Sequence, residues 1–215
     1  MSRHKAAIEH LSQVNPVMRG LIGEIGPCTL TPRIERSPCE SLARAIAYQQ
    51  LHDKAAESIL RRFIALSPGR RFPKPEEVLA IDESFIGAAG FSRPKIKALR
   101  DLAARTLDGT VPTVRVIREL NDETIIGRLI TVHGIGRWTV EMLLIFQLGR
   151  PDVLPIDDFG VRNGFRIAFK RREMPTANAV LRYGERWKPY RTVASWYLWR
   201  AVDLAKGKRA SGFVP

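Results

Sequence analysis

The chain has 215 residues, 45% of them hydrophobic and 27% charged. That is enough to bury a core as one compact domain or two small lobes, and too balanced for a disordered or fibrous protein. Lys and Arg number 35 against 22 Asp and Glu, a formal net charge of +13, which points to a polyanionic partner such as nucleic acid. Cys28 and Cys39 are the only cysteines, and the four histidines show no H-x-E or H-E-x-x-H spacing. A four-cysteine iron–sulfur or zinc cage is excluded and a zinc hydrolase or deaminase is disfavoured. The first residues hold no apolar signal-peptide core. The longest apolar stretch, from Met142 to Leu148, is interrupted by Gln147 and too short to span a bilayer. A cytoplasmic protein without membrane contact is expected.

The elements read as a run of helices. Ser37-Pro38-Cys39-Glu40 looks like a capping box, with Ser37 as N-cap, Pro38 in the first turn and Glu40 reaching back. Leu42, Ala45, Ile46 and Gln49 follow at helical spacing. Asp53 is placed to cap the next helix, whose apolar face is Ala56, Ile59, Leu60 and Phe63, and Ser67-Pro68-Gly69 ends it. Short helices open at Pro75 and at Asp82, the second closed by Gly90. Ser92-Arg93-Pro94 opens a longer helix with Ile96, Leu99, Leu102 and Ala103 on one side. Val111 to Ile117 alternates loosely, but Pro112 and the lack of a partner count against a strand. Asn121-Asp122 caps a helix bearing Ile125, Ile126, Leu129 and Ile130. The fold class expected is all-α, ending in a basic, mobile tail from Lys206 to Gly212.

The segment from Leu129 to Glu141 is the most informative. A helix ends at Val132, Gly134-Ile135-Gly136 turns tightly, and a second helix starts near Arg137. Two glycines around one apolar residue suit a turn that a β-carbon would block. The backbone N–H groups of such a turn and of the following helix favour a phosphate. Contacts of this kind position a duplex without reading its sequence. Alone, G-x-G fits an ordinary helix–turn–helix as well. Shortly afterwards, Leu154-Pro155-Ile156-Asp157-Asp158-Phe159 places two aspartates where a helix from Phe159 to Phe169 would begin, a position that suits a carboxylate cap.

These motifs together resemble the helix–hairpin–helix DNA glycosylase superfamily, and within it the DNA-3-methyladenine glycosylase II type. The resemblance is carried by Gly134-Ile-Gly-Arg-Trp-Thr139 and Pro155-Ile-Asp-Asp-Phe159. Ala45-Ile-Ala-Tyr-Gln-Gln50, Gly90-Phe-Ser-Arg-Pro-Lys95 and Trp187-Lys-Pro-Tyr-Arg191 support it, in the family's order, over roughly residues 35 to 203. It implies two helical lobes with an active-site cleft between them. The expected division is residues 1–60 with 160–215 in one lobe and 61–159 in the other. It also implies hydrolysis of the N-glycosidic bond to a damaged base in duplex DNA, with a monomer as the working form.

The resemblance assigns roles. Asp158 is the expected catalyst: its carboxylate stabilises the oxocarbenium character of the sugar and orients the attacking water. Asp157 is its polar neighbour. Trp138 stands where bifunctional relatives carry a Schiff-base lysine, so a monofunctional glycosylase without lyase activity is expected. Its indole suits a cationic alkylated purine, such as 3-methyladenine or 7-methylguanine. Trp199, Tyr48 and Met142 complete the expected base pocket, Met142 replacing a tyrosine common in the family. Gln50, with Leu51 as substitute, would fill the gap left by the flipped nucleotide. His52 stands where the family has a capping serine. Gly134, Gly136, Arg137, Arg93 and Lys95 are expected at the DNA backbone. The carbonyls of Val132, His133 and Ile135 are expected to hold a monovalent cation, K+ or Na+. No other cofactor is required. A non-catalytic helix–hairpin–helix module that binds bent or damaged DNA explains the charge and the hairpin equally well, and a glycosylase for deaminated or etheno bases is a further reading of the same chemistry.

Overall fold

The computed structural model describes residues 4–51 and 53–207, the side chain of Asp53 excepted. Among them the secondary structure is helical throughout, with no strand. In chain order the helices are α1 (Lys5–Val14), α2 (Pro16–Ile25), α3 (Pro38–Tyr48), α4 (Asp53–Ala65), α5 (Pro75–Ala80), α6 (Glu83–Ala88) and α7 (Arg93–Leu107). They continue with α8 (Val114–Glu119), α9 (Asp122–Leu129), α10 (Arg137–Phe146), α11 (Phe159–Ala168), α12 (Ala177–Gly184) and α13 (Arg191–Ala205). The described residues divide into two compact units, one made of those up to 32 with those from 144 onward, the other of residues 33–143. The boundaries expected from the sequence were 60/61 and 159/160. Residues 33–60 go with the middle of the chain because α3 packs on α7 and α4.

The unit of residues 33–143 is built on α7, whose Ile96, Ala98, Leu99, Leu102 and Ala103 are buried. Leu42, Ala43, Ile46 and Ala47 of α3 are buried too. Phe63 of α4 meets Phe72 and Phe91 edge-on. Burying each large apolar side chain contributes about 1.5–3 kcal/mol. Ser37 caps α3 by accepting the Glu40 N–H at 3.1 Å, but Glu40 does not complete a capping box. Its carboxylate turns forward to Arg44 Nε at 2.9 Å, where a full ion pair outweighs one N–H. The Asp53 cap and His52 lie outside the described residues. The loosely alternating segment after Pro112 folds as the short helix α8, capped by Thr113. Local capping wins there because no neighbouring strand offers hydrogen bonds.

In the other unit α11 packs on α13, α13 on α2, and α1 on α2. Gly164 sets the closest approach: a β-carbon there would overlap the Leu198 carbonyl of α13. The helices α1 and α2 were not foreseen from the sequence. Asn15 separates them, capping α2 through the Met18 N–H at 3.0 Å and donating to the Tyr183 hydroxyl at 2.7 Å. Leu11 and Met18 are fully buried. Cys28 is a core residue whose thiol burial pushes up to about 11, and burial raises Cys39 as well. Among the described residues no helix is long and apolar enough to cross a membrane. Of the basic tail, residues 208–212 lie outside the described residues.

Candidate active site

Asp158 is the N-cap of α11, in extended backbone conformation. Its Oδ1 accepts the Val161 N–H at 2.7 Å and the indole N–H of Trp199 at 2.8 Å. The first bond follows from helix geometry, since a cap residue faces the N–H three residues on. The second comes from α13. The Trp199 ring stacks on Phe146, with centroids 5.6 Å apart, which fixes the direction of its N–H. Gly160 lets the two groups meet: a β-carbon there would sit 2.8 Å from Trp199 Cδ1 and 3.0 Å from Asp158 Oδ1. The structure therefore gives Trp199 a carboxylate partner, which its expected role against the base did not include.

The loop before Asp158 is braced from α13. Thr192 Oγ1 donates to the Arg150 carbonyl at 2.6 Å and accepts the Val153 N–H at 2.9 Å. Arg191 holds both carboxylate oxygens of Asp152, at 2.8 and 2.9 Å. Asp158 N–H closes a turn on the Pro155 carbonyl at 3.1 Å. One helix thus anchors the loop and supplies the indole. Asp157 is exposed. Phe159, the first residue of α11, is 70% exposed, an aromatic beside the carboxylate that the sequence motifs did not single out.

The remaining candidates lie in the unit of residues 33–143. The hairpin turns between α9 and α10, where Val132 O accepts the Ile135 N–H at 3.1 Å and Ile135 is buried. Gly134 has φ +78°, which disfavours a side chain, and its added β-carbon would meet Ala98 at 3.0 Å. Gly136 differs: its φ is ordinary and nothing lies within 4 Å of an added β-carbon. Its glycine leaves open surface and is not needed to form the turn. Two anchors of the hairpin were missed. Asp101 Oδ2 accepts the His133 N–H at 2.7 Å, and Gln49 Nε2 donates to the Gly134 carbonyl at 3.0 Å. Both come from distant helices, so no spacing announces them.

Two expected phosphate partners are otherwise engaged. Lys95 Nζ donates to the carbonyls of Ala47 and Gln49, each at 2.8 Å. It closes the C-terminal end of α3, and burial lowers its proton affinity. Arg137 pairs with Glu123 at 2.7 Å and Glu141 at 3.2 Å, and the Glu123 bond raises its proton affinity. Arg93 is exposed. Trp138, in the first turn of α10, is 38% exposed, whereas Met142 one turn on is buried. Tyr48 lines an arginine-rich cavity of about 600 Å3. Gln50 is exposed and holds φ +56°. It turns the chain sharply, so that Leu51 beside it is also exposed. Among the described residues no three His, Cys, Asp or Glu side chains form a metal-binding group.

Comparison with known proteins places this geometry in context. Residues 43–189 match the family described as HhH-GPD superfamily base excision DNA repair protein. The chain is 43% identical over 197 residues to DNA-3-methyladenine glycosylase 1 of Schizosaccharomyces pombe, covering 91% of this chain and 86% of the relative. It is 36% identical over 204 residues to the alkylbase DNA glycosidase-like protein mag2 of the same yeast, covering 94% and 96%. Among solved structures, the 3-methyladenine DNA glycosylase Mag1 of Schizosaccharomyces pombe, in complex with abasic DNA, superposes with a TM-score of 0.84 at 42% identity, over 91% of this chain and 96% of that one. A DNA-3-methyladenine glycosidase from Bacillus halodurans gives 0.86 at 30% identity, over 97% and 95%. With the family match spanning more than half its residues, this all-helical chain belongs to the HhH-GPD superfamily of base excision DNA repair proteins.

Proposed function

We propose that the protein is a monofunctional DNA glycosylase that excises alkylated purines, of the 3-methyladenine and 7-methylguanine class, from duplex DNA in base excision repair, acting as a monomer. The observation that carries this reading is the Asp158 carboxylate, held at the start of α11 by the Val161 N–H and the Trp199 indole. Two donors on one oxygen fix a negative group without neutralising it. Such a group stabilises positive charge that develops on a sugar as the C1′–N bond breaks. The bond's electron pair leaves with the base, and the oxygen of a water molecule bonds to C1′. That water's proton passes to Asp158 or to bulk water. An alkylated purine is already cationic, so it departs neutral and needs no general acid.

The absence of lyase chemistry rests on Trp138, an indole where a Schiff-base amine would otherwise stand. Its exposed face suits stacking on a cationic base, worth about 0.5–2 kcal/mol. Gln50 and Leu51, on their sharp exposed turn, are the candidates to enter the duplex. Gly134, Gly136 and Arg93 supply the backbone contacts. At the hairpin, K+ or Na+ would draw on the carbonyls of Val132, His133 and Ile135 and offset phosphate charge. Val132 O already accepts one N–H, which leaves it one lone pair to offer.

The test is base release from duplexes that each carry one alkylated purine. Free base is expected, with abasic sites that break only after heat or alkali. Asp158→Asn is expected to slow release at least ~10²-fold. DNA binding without any base release by the wild-type protein would leave only a DNA-binding module.

A further inference from the structure

We propose that the arginine-lined cavity of the 33–143 unit receives a backbone phosphate of the bound duplex, in addition to the one held at the hairpin. The proposal takes the identity of the polymer from the functional reading above, but it does not depend on catalysis. The cavity is lined by Arg33, Arg36, Arg44, Arg61 and Arg70, from the chain before α3, from α3 itself, from α4 and from the turn after α4. Glu57 is the one carboxylate among the described residues that line it. Glu40 beside the cavity pairs with Arg44 at 2.8 Å, so five guanidinium groups stand against two carboxylates. The remaining excess of positive charge is self-repelling, and a multivalent anion relieves that repulsion. Burial, with the neighbouring Arg44 and Arg33 charges, holds the Arg36 guanidinium below its ordinary proton affinity. The planar forks of arginine match phosphate oxygens better than those of any small neutral ligand.

The position of the cavity selects DNA over a small free anion. Arg44 and Tyr48 of α3 form one wall, and the next residue, Gln49, bonds the Gly134 carbonyl of the hairpin at 3.0 Å. Gln50 then reverses the chain with its positive φ. The returning helix α4 supplies Leu60, Arg61 and Ile64 to the lining. The turn from Gln49 to Leu51 therefore joins a residue bonded to the hairpin with the two helices that line the cavity, within one unit. A duplex held at the hairpin and entered by this turn carries further phosphates toward the arginines.

The experiment measures the affinity for undamaged duplex as a function of salt. Removing one cation that neutralises a phosphate flattens the slope of log K against log salt by about 0.9. Arg61→Gln with Arg70→Gln is expected to flatten it by about 1 to 2. The control pair, Arg115→Gln with Arg182→Gln, removes the same charge from exposed positions on α8 and α12 and is expected to leave the slope near that of wild type. Equal slopes for the two pairs would overturn the proposal. So would a cavity pair that abolishes tripolyphosphate binding, followed by calorimetry, while leaving the DNA slope untouched. Should the cavity pair lower the melting temperature, Arg33→Gln on another wall gives the same reading, with the slope flattened by about 0.9. Base release by the wild-type protein tests the catalytic reading separately, since a protein that releases no base still shows the slope difference.

Discussion

Trp199 donates its indole N–H to Asp158 Oδ1 at 2.8 Å while its ring stacks on Phe146. The tryptophan is thus a positioning residue for the carboxylate. Trp199→Phe keeps the ring and the stack but removes the donor. One hydrogen bond to a charged group contributes about 1.5–3 kcal/mol, so single-turnover base release is expected to fall by about 10-fold or more. Affinity for abasic duplex is expected to change by less than about 3-fold, because the bond aligns the carboxylate and does not hold DNA. Equal losses in both quantities would show that the ring, and not its N–H, matters.

Gly160 and Gly164 lie one turn apart on the face of α11 that meets α13, and they separate stability from alignment. At Gly164 a methyl group meets the Leu198 backbone, which cannot move without shifting the helix. Gly164→Ala is expected to cost about 3 kcal/mol in denaturant unfolding. At Gly160 the obstacles are the Trp199 ring edge and Asp158 Oδ1, which can rotate aside. Gly160→Ala is expected to cost about 1 kcal/mol but to slow base release as strongly as Trp199→Phe. A stable Gly160→Ala protein with full activity would rule out the importance of the contact.

The brace before Asp158 gives a third outcome. Thr192 is buried and serves two backbone groups, the Arg150 carbonyl and the Val153 N–H. Thr192→Val preserves shape and strands both. Leaving a buried polar group unpaired costs about 1–3 kcal/mol, and the midpoint of urea unfolding should fall accordingly. Thr192→Ser, which keeps the hydroxyl, should restore most of it.

The pH dependence of stability has one clear local source. Glu77 accepts bonds from Arg71, from the Lys74 N–H and from Ser67, and the Arg71 bond leads in pulling its carboxyl from the usual 4.5 down to about 2. A depressed carboxylate favours the folded state above its unfolded value and loses that effect as pH falls through the folded one. The melting-temperature difference between wild type and Glu77→Gln should therefore hold above pH 4.5 and shrink steadily toward pH 2. A difference that does not change over this window would contradict the assignment.

Local signals were legible in the sequence wherever they are local in cause. Ser37, Asp82, Asn121 and Asp158 all cap the helices that follow them, because a cap bonds an N–H two or three residues on. Gly134 announced its turn for the same reason. The partners that finish the site are tertiary: Trp199 lies 41 residues from Asp158, and Gln49 lies 85 from Gly134. No periodicity encodes such pairs. Lys95 meets two carbonyls and Arg137 two carboxylates, partners that sequence does not reveal, because a basic residue near a hairpin looks the same whatever it faces. The helices α1 and α2 went unread although their apolar periodicity is as marked as that of α7; their packing on α13 and on each other is tertiary, and no motif announces it.

The contrast between Lys95 and its neighbour Arg93 tests directly what the Lys95 ammonium serves. Lys95 closes α3 by donating to the carbonyls of Ala47 and Gln49, the residues that lead into the Gln50 turn. Orphan carbonyls at a helix end are stabilised by such a cation. Lys95→Met keeps most of the apolar stem and removes the ammonium, at an expected cost of about 1–2 kcal/mol in stability. Arg93 is exposed at the start of α7. Arg93→Gln should leave the melting temperature unchanged and flatten the salt slope of DNA binding by about 0.9. If Lys95→Met kept full stability and changed only the salt slope, the ammonium would serve phosphate after all.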